Sequence, residues 1–427
     1  MSEFKDLSTP SEAGDDHQRI SHEPLCSTST SDGISISIGG SAGRRSDRWC
    51  EDLGYQILAP VDFKRDKFAA PDNLYIAFQQ LVEGGGHGAG IDRFGPDDFS
   101  DHELRPILRH LSGSLVNEAY RPYPVRIVEI PKIATKVRTL ALQRFTDRTV
   151  AQSLLNCLSA FWQRQIRTRS VWQVYAQLDR EIRRRQAYFL AIDDIKDCFP
   201  SAPLDEVMRW HRHHINHEGL LNLIERIIRG HDGSGHLIGL DQGSPYSPAA
   251  MDVLLHHILD ILLEARSRNT SQLRYVDNLT FLCHDVSEGT RVLAMARELV
   301  GQSGFQLKGE DGQPQDLGDP SYKRVVLGLI PRWRNGQLTF SIPDSAYEHL
   351  IEGLRVANEA HRPPDNALRR CRGWLQQLGP ALTRSVEREV VGHVTDMARH
   401  AGFRNVIPRD LLRVAESARE SWHRVLC

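Results

Sequence analysis

Three short strings, in a fixed order, constrain this chain more than its length does. The first is Tyr188-Phe-Leu-Ala-Ile-Asp-Asp-Ile-Lys-Asp-Cys-Phe-Pro200, an apolar run that ends in carboxylates. It reads as a strand, and a strand end is a rigid place to hold a charged ligand. The second is Gly239-Leu-Asp-Gln-Gly-Ser-Pro-Tyr-Ser-Pro248. Here Gln242-Gly243 predicts a loop whose backbone can approach a ligand closely. Ser247 suits an N-cap and Pro248 the first helical position. Leu254, Leu255, Ile258, Leu259, Leu262 and Leu263 then fall on one helical face. The third is Leu273-Arg-Tyr-Val-Asp-Asn-Leu-Thr-Phe-Leu282, two apolar strands around Asp277-Asn278, a pair suited to a tight hairpin turn. Each string alone is common. A hairpin tip can present a carboxylate to a neighbouring strand end, and the three strings in this order are far more specific than any one.

The surrounding periodicities predict a mixed α+β chain with a helical C-terminal part. A helix is expected over Pro71 to Val82, with a Gly-rich break from Gly84 to Gly90. Val125 to Ile130 alternates as a strand, and Val137 to Leu142 is its hairpin partner. Helices are expected over Thr146 to Trp162 and Leu220 to Ile228, and through most of Tyr347 to Cys427. Of the first 47 residues, 19 are Ser, Thr or Gly, a composition too polar to offset the entropy of ordering. The expected division is a disordered tail at 1–47, a main body at 48–330 and a helical domain at 331–427.

Hydrophobic content of 40% and charged content of 25% are those of a globular protein. The net charge of −2 hides a local excess. Arg121 to Leu190 carries 14 Lys plus Arg against 4 Asp plus Glu, which suits either phosphate contact or a solvated helical surface. The seven cysteines include no C-x-x-C pair, which argues against a disulfide framework or a zinc ribbon. With no secretory signal and no apolar run of about 20 residues, a cytoplasmic location is expected. The run His211, His213, His214 and His217 reads as an exposed helix end rather than a metal site.

The three strings resemble motifs A, B and C of bacterial reverse transcriptases, the group II intron and retron superfamily. The resemblance spreads outward over roughly residues 85 to 330. Gly88-Ala-Gly-Ile-Asp92 resembles the extra N-terminal motif of that superfamily, and Tyr120 to Lys132 with Arg138-Thr-Leu resembles its fingers hairpin. Asp147-Arg148 also fits. Gly304-Phe-Gln-Leu307 resembles motif D, and Val326-Leu-Gly-Leu329 resembles the primer-grip hairpin. The resemblance implies a right-hand polymerase fold, with fingers, a palm and a helical thumb. It implies an RNA-directed DNA polymerase acting on an RNA template, a DNA primer and dNTPs. Asp194, five residues before Phe199, would be the motif A ligand, and Asp194, Asp277 and the Ile195 carbonyl would hold two Mg²⁺ or Mn²⁺ ions roughly 3.5–4 Å apart. Lys132 and Arg138 would cradle the triphosphate. Gln242 and Gly243 would contact the incoming nucleotide, and Phe199 would exclude a 2′-hydroxyl.

Departures from the pattern narrow the reading. Motif C is Tyr275-Val-Asp-Asn278, with Asn278 in place of a second Asp. The position where motif D often has Lys is Asp311, and the nearest base is Lys308. About 97 residues follow Ile330, without a Cys/His endonuclease pattern or the Asn-Ala-x-x-His string of retrons. In character the chain resembles orphan, defence-associated reverse transcriptases that work with a non-coding RNA, a partner protein or as oligomers. Two alternatives stand beside RNA-templated synthesis. One is a template-independent or protein-primed DNA polymerase of the same fold. The other is a degenerate enzyme kept as an RNA-binding scaffold.

Overall fold

Turn chemistry and alternating apolar residues set most element boundaries in the computed structural model, which describes residues 68–131, 137–166, 170–230, 239–267, 270–309, 312–359 and 362–426. The expected tail at 1–47 and the onset of order near Trp49 lie outside these residues. Helix α1 (Pro71–Glu83) has Pro in its first turn and stops at Gly84. Helix α2 (Asp101–Val116) opens with Ser100, whose amide donates to Glu103 Oε2 at 2.9 Å. Strands β1 (Arg126–Pro131) and β2 (Val137–Leu142) form an antiparallel hairpin in which Ile130 faces Arg138. Ile127 is exposed, so the alternation that marks β1 is not the signature of a buried face. Helix α3 (Phe145–Leu158) packs on α1 and turns Val150, Leu154 and Leu158 inward.

After helix α4 (Val171–Arg185) comes strand β3 (Phe189–Asp194), followed by helices α5 (Leu204–His214) and α6 (Glu218–Arg229). Helices α7 (Ser247–Leu255) and α8 (Ile261–Arg266) are joined by a π-helical turn at His256–Asp260. Then come β4 (Ser271–Tyr275), β5 (Asn278–Cys283), α9 (Val286–Gly301) and the short β6 (Gln315–Asp316). The four strands form one antiparallel sheet in the order β4-β5-β3-β6.

Two boundaries differ from expectation. Helix α7 starts at Ser247 itself, because Tyr246 already has helical backbone angles; Ser247 is a buried first-turn residue, not the N-cap. The hairpin turn is Val276-Asp277, not Asp277-Asn278, since Tyr275 pairs with Asn278. Val276 has φ +54°, a left-handed conformation that costs a β-branched residue on the order of 1–3 kcal/mol.

Period-2 alternation gives the sheet two apolar faces. Ala191, Leu279 and Phe281 pack with α5, α7 and α9 into a core that runs on to α1 and α3. Leu190, Ile192, Leu273 and Leu282 pack with α4 into a second core. Strands β7 (Ile330–Arg334) and β8 (Gln337–Ser341) and helices α10 (Asp344–Ala357), α11 (Pro363–Gln377), α12 (Val386–His400) and α13 (Pro408–Leu426) close that core. The C-terminal helices therefore share their apolar interior with the back of the sheet. Leu354, Leu375, Val391 and Leu411 belong to the same cluster as Leu190.

The histidine run is a correction. His211 and His214 are buried, because α5 packs against α7. His211 bonds the Val207 carbonyl and the Tyr246 hydroxyl, and His214 Nε2 lies 2.7 Å from His257 Nε2. Burial lowers the pKa of His211 to about 4 and that of His214 to about 3, so both are neutral.

Candidate active site

The end of β3 and the tip of the β4–β5 hairpin meet edge to edge. In the register of β3 with β5, Asp194 lies opposite Asn278. One residue on, the Ile195 amide donates to the Asp277 carbonyl at 3.0 Å. The two strings thus bring Asp194, Ile195, Asp277 and Asn278 to one corner of the sheet. Asn278 Nδ2 donates to Asp194 Oδ1 at 2.7 Å, and Lys308 Nζ sits 2.7 Å from Asp194 Oδ2. Asp194 and Lys308 are both partly open to solvent.

The neighbouring Asp193 does a different job. Alternation turns it to the Ala191 face, where it is buried. Its Oδ1 accepts from the amides of Asp194 and Gly309, both at 2.9 Å. The segment from Gly304 to Lys308 is thereby clamped along β3. Lys196 N donates to Gln306 O at 2.7 Å, Leu307 pairs with Ile195, and Lys308 N donates to Asp194 O at 2.8 Å.

The second string forms the wall beside this corner. The amides of Gly239 and Leu240 donate to the carbonyls of Ala202 and Phe199 at 2.8 and 2.7 Å. Phe199 lies half-buried in the turn after β3. The Gln242 carbonyl accepts from the Ala141 amide at 2.9 Å, tying this loop to β2. Gly243 has φ +129°, and a Cβ there would stand 2.8 Å from the Ala141 carbonyl. Its glycine thus permits close packing of the loop on β2. Arg138 lies on β2, and Lys132 falls outside the described residues.

Behind the hairpin lies a charged cluster that the sequence reading did not single out. Arg274 of β4 donates to Asp252 of α7, to Asp260 of the π turn at 2.8–3.3 Å, and to the Val276 carbonyl at 3.1 Å. All three side chains are sealed from solvent. Burial works against the Arg274 charge, but Asp260 and Asp252 outweigh it and hold the guanidinium charged. The cluster braces the strained Val276, and so places Asp277. Its trace in the sequence was two carboxylates eight residues apart in a helix otherwise apolar but for His256 and His257.

On the other side, Arg144 Nε pairs with Asp92 at 2.6 Å, and Arg148 donates to the carbonyls of Gly86 and Gly88. A Cβ on Gly90 would stand 2.7 Å from Arg144 Cα, so this string docks directly on the start of α3. Asp147 accepts from the Tyr120 hydroxyl at 2.9 Å and the Tyr123 amide at 3.0 Å. These residues line a cavity of about 440 Å³ with Arg121, Arg144 and His110.

Comparison with known proteins adds the decisive observation: residues 130–310 match the family model described as reverse transcriptase (RNA-dependent DNA polymerase). The chain carries a reverse transcriptase domain. Its mixed helices and antiparallel sheet form a right-hand polymerase fold, and the Asp194–Asp277 corner lies inside the matched reverse transcriptase segment. A Saccharomyces cerevisiae protein described as a putative COX1/OXI3 intron 1 protein is 24% identical over 166 residues, which cover 35% of this chain and 19% of the relative. The chain thus spans about a fifth of the length of that curated relative. Among solved structures, telomerase from Candida albicans with a TWJ fragment of telomeric RNA is 11% identical, with a TM-score of 0.39 over 77% of this chain and 70% of that one. Apo telomerase from Candida tropicalis, truncated of its C-terminal domain, is 13% identical, with a TM-score of 0.38 over 56% and 60%.

Reverse transcriptase domains use divalent metal ions, and the corner's donors can be tested against that need. Two carboxylates and the Ile195 carbonyl are hard oxygens of the type such ions prefer. The amide of Asn278 stands where a third acid would complete the set. Among the described residues, no group of three or more His, Cys, Asp or Glu is arranged to hold a metal. The donors fit in type, with one anion fewer. Among the same residues, no helix is long and apolar enough to cross a membrane.

Proposed function

We propose that this chain is an RNA-directed DNA polymerase that adds dNTPs to a DNA primer on an RNA template at the Asp194–Asp277 corner. The observation that carries this reading is the convergence of both carboxylate-bearing backbones, with Asp194 opposite Asn278 and Ile195 bonded to Asp277. Asp194, Asp277 and the Ile195 carbonyl would hold Mg²⁺ or Mn²⁺, two ions in the full complement. Such ions acidify the primer 3′-hydroxyl and neutralise the triphosphate. The chain's own part is to fix geometry. Asp193 anchors the strand end, Arg274 braces the turn, and the loop at Gln242-Gly243 walls the nucleotide site together with Phe199, which would bar a 2′-hydroxyl. Lys132 and Arg138 would take the triphosphate. Residues 331–427 would act as the thumb, 48–330 as fingers and palm.

We place the activity in antiviral defence with a non-coding RNA, on the character of the motifs. The test is primer extension by the full chain on an RNA template with dNTPs and Mg²⁺, repeated with Asp277→Ala. Extension that depends on Asp277 supports the reading, and Asp277→Ala should also abolish protection of host cells from phage. A folded protein that extends nothing, with its copurified RNA supplied, leaves the scaffold reading, which the Asn278 and Lys308 contacts on Asp194 favour.

A further inference from the structure

Both oxygens of Asp194 are engaged by donors from this chain. Asn278 Nδ2 holds Oδ1 and Lys308 Nζ holds Oδ2, each at 2.7 Å. The lysine is not a chance neighbour. Its own amide is bonded to the Asp194 carbonyl at 2.8 Å, and the next residue, Gly309, is bonded to Asp193 at 2.9 Å. Gly309 has φ +69°, a left-handed conformation that glycine adopts without strain. The backbone on either side is therefore fixed to β3, and the side chain needs only its own torsions to reach Asp194.

We infer that Lys308 is a tethered competitor for the divalent ion: its ammonium must leave Asp194 before Oδ2 can accept a metal. The charges of the corner make the competition effective. Asn278 supplies no anion, so Asp194 and Asp277 are the two formal negative charges available for ligation, and Lys308 offsets one of them. An intramolecular cation also acts at a high effective concentration, independent of the medium. The site is thereby biased toward the metal-poor state, and ion loading becomes a controlled step.

The inference rests on the proposed role of Asp194 as a metal ligand, and the experiment separates the two. Mn²⁺ binding to the full chain is measured by electron paramagnetic resonance, without nucleotide or primer, for the native protein, Lys308→Met, Lys308→Arg and Asp194→Asn. Lys308→Met should bind Mn²⁺ about tenfold more tightly, because the ion pair and the repulsion between ammonium and metal both vanish. Lys308→Arg keeps the charge and should stay within about twofold of the native protein. Asp194→Asn should lose the site. Lys308 is partly exposed, so its variants should keep the native thermal transition, which is checked alongside. Unchanged binding in Lys308→Met, or an equal gain in Lys308→Met and Lys308→Arg, overturns the competition while leaving Asp194 a ligand. Full binding by Asp194→Asn overturns the ligand assignment and the inference with it.

Discussion

Two clusters of the same composition lie in front of and behind the β4–β5 hairpin and behave oppositely. Asp194, Asp277 and Lys308 sit at the sheet corner, and Asp252, Asp260 and Arg274 sit behind it. Each has two carboxylates and one cation. In the rear cluster every side chain is at most 1% exposed, whereas Lys308 is 37% and Asp194 26% exposed. Where solvent is excluded, breaking the pairing leaves an uncompensated buried charge, so those groups are committed to the fold. Where solvent enters, the partners can exchange, and the same charges are available for chemistry. Burial, and not residue type, decides which carboxylates can turn over ligands.

The most direct way to break this contrast is to neutralise the front cluster. Asp194→Asn should lower nucleotide incorporation by ~10³-fold or more, equivalent to about 4 kcal/mol of barrier, with the thermal transition nearly unmoved. Primer extension and calorimetry on one preparation check both halves. A large drop in melting temperature would mean that the front cluster is structural as well.

The mirror-image variant is Arg274→Met. It strands two buried carboxylates and releases the brace on Val276, so stability should fall by about 3–5 kcal/mol in denaturant titration. Incorporation should fall in the surviving folded fraction too, since Asp277 is no longer held. Full stability in this variant would erase the distinction between the clusters.

A third carboxylate sharpens the contrast by being buried with hydrogen bonds from Tyr120 and Tyr123. Burial raises the pKa of Asp147 to about 6, although Tyr123 and Tyr120 donate to it. The folded protein then holds this proton more tightly than the unfolded chain, whose value is near 3.8. The stabilising contribution is complete below pH ~4 and is lost as pH rises through about 6. Asp147→Asn removes the titration. Relative to the native protein it should gain about 2 kcal/mol between pH 4 and pH 7. A stability difference that is flat with pH would contradict the raised pKa.

The smallest effect is expected at Asn278. Restoring an anion with Asn278→Asp should lower the Mg²⁺ concentration for half-maximal extension by up to about tenfold. A fall in activity instead would show a corner adapted to the amide.

What the sequence made legible follows from how local each signal was. The three strings were dense and contiguous, so the strands and the loop could be read directly, and the resemblance to reverse transcriptases implied that Asp194 and Asp277 act together. Helix α7 was found from its leucines, but not that Asp252 and Asp260 share a partner on β4, because that pairing exists only after the helix folds back on the sheet. His211 and His214 looked like a solvated end because their type is polar, yet inside the fold His211 bonds Tyr246 and His214 Nε2 bonds His257. Lys308 was noted only as the nearest base, because the family spacing pointed to Asp311. The strand pairing that carries Lys308 to Asp194 depends on Leu307 meeting Ile195, a contact between distant segments. The turn was misplaced by one residue because Val276 is a poor candidate for a left-handed position, and only the buried Arg274 makes it tolerable.

The π-helical turn at His256–Asp260 has a consequence for how this site could arise or be lost. In an uninterrupted α-helix, residues eight apart are rotated by about 80° around the axis. Asp252 and Asp260 would then diverge, and a single guanidinium could not span both. The wider turn unwinds that offset and returns the two acids to one side. A change that forced these residues into regular α-helical winding without altering their number would swing Asp260 off Arg274 and unseat the hairpin tip, whereas a one-residue deletion would leave the acids seven apart and within about 20° of one another. The winding of this turn is therefore as much a determinant of the corner as the acids themselves.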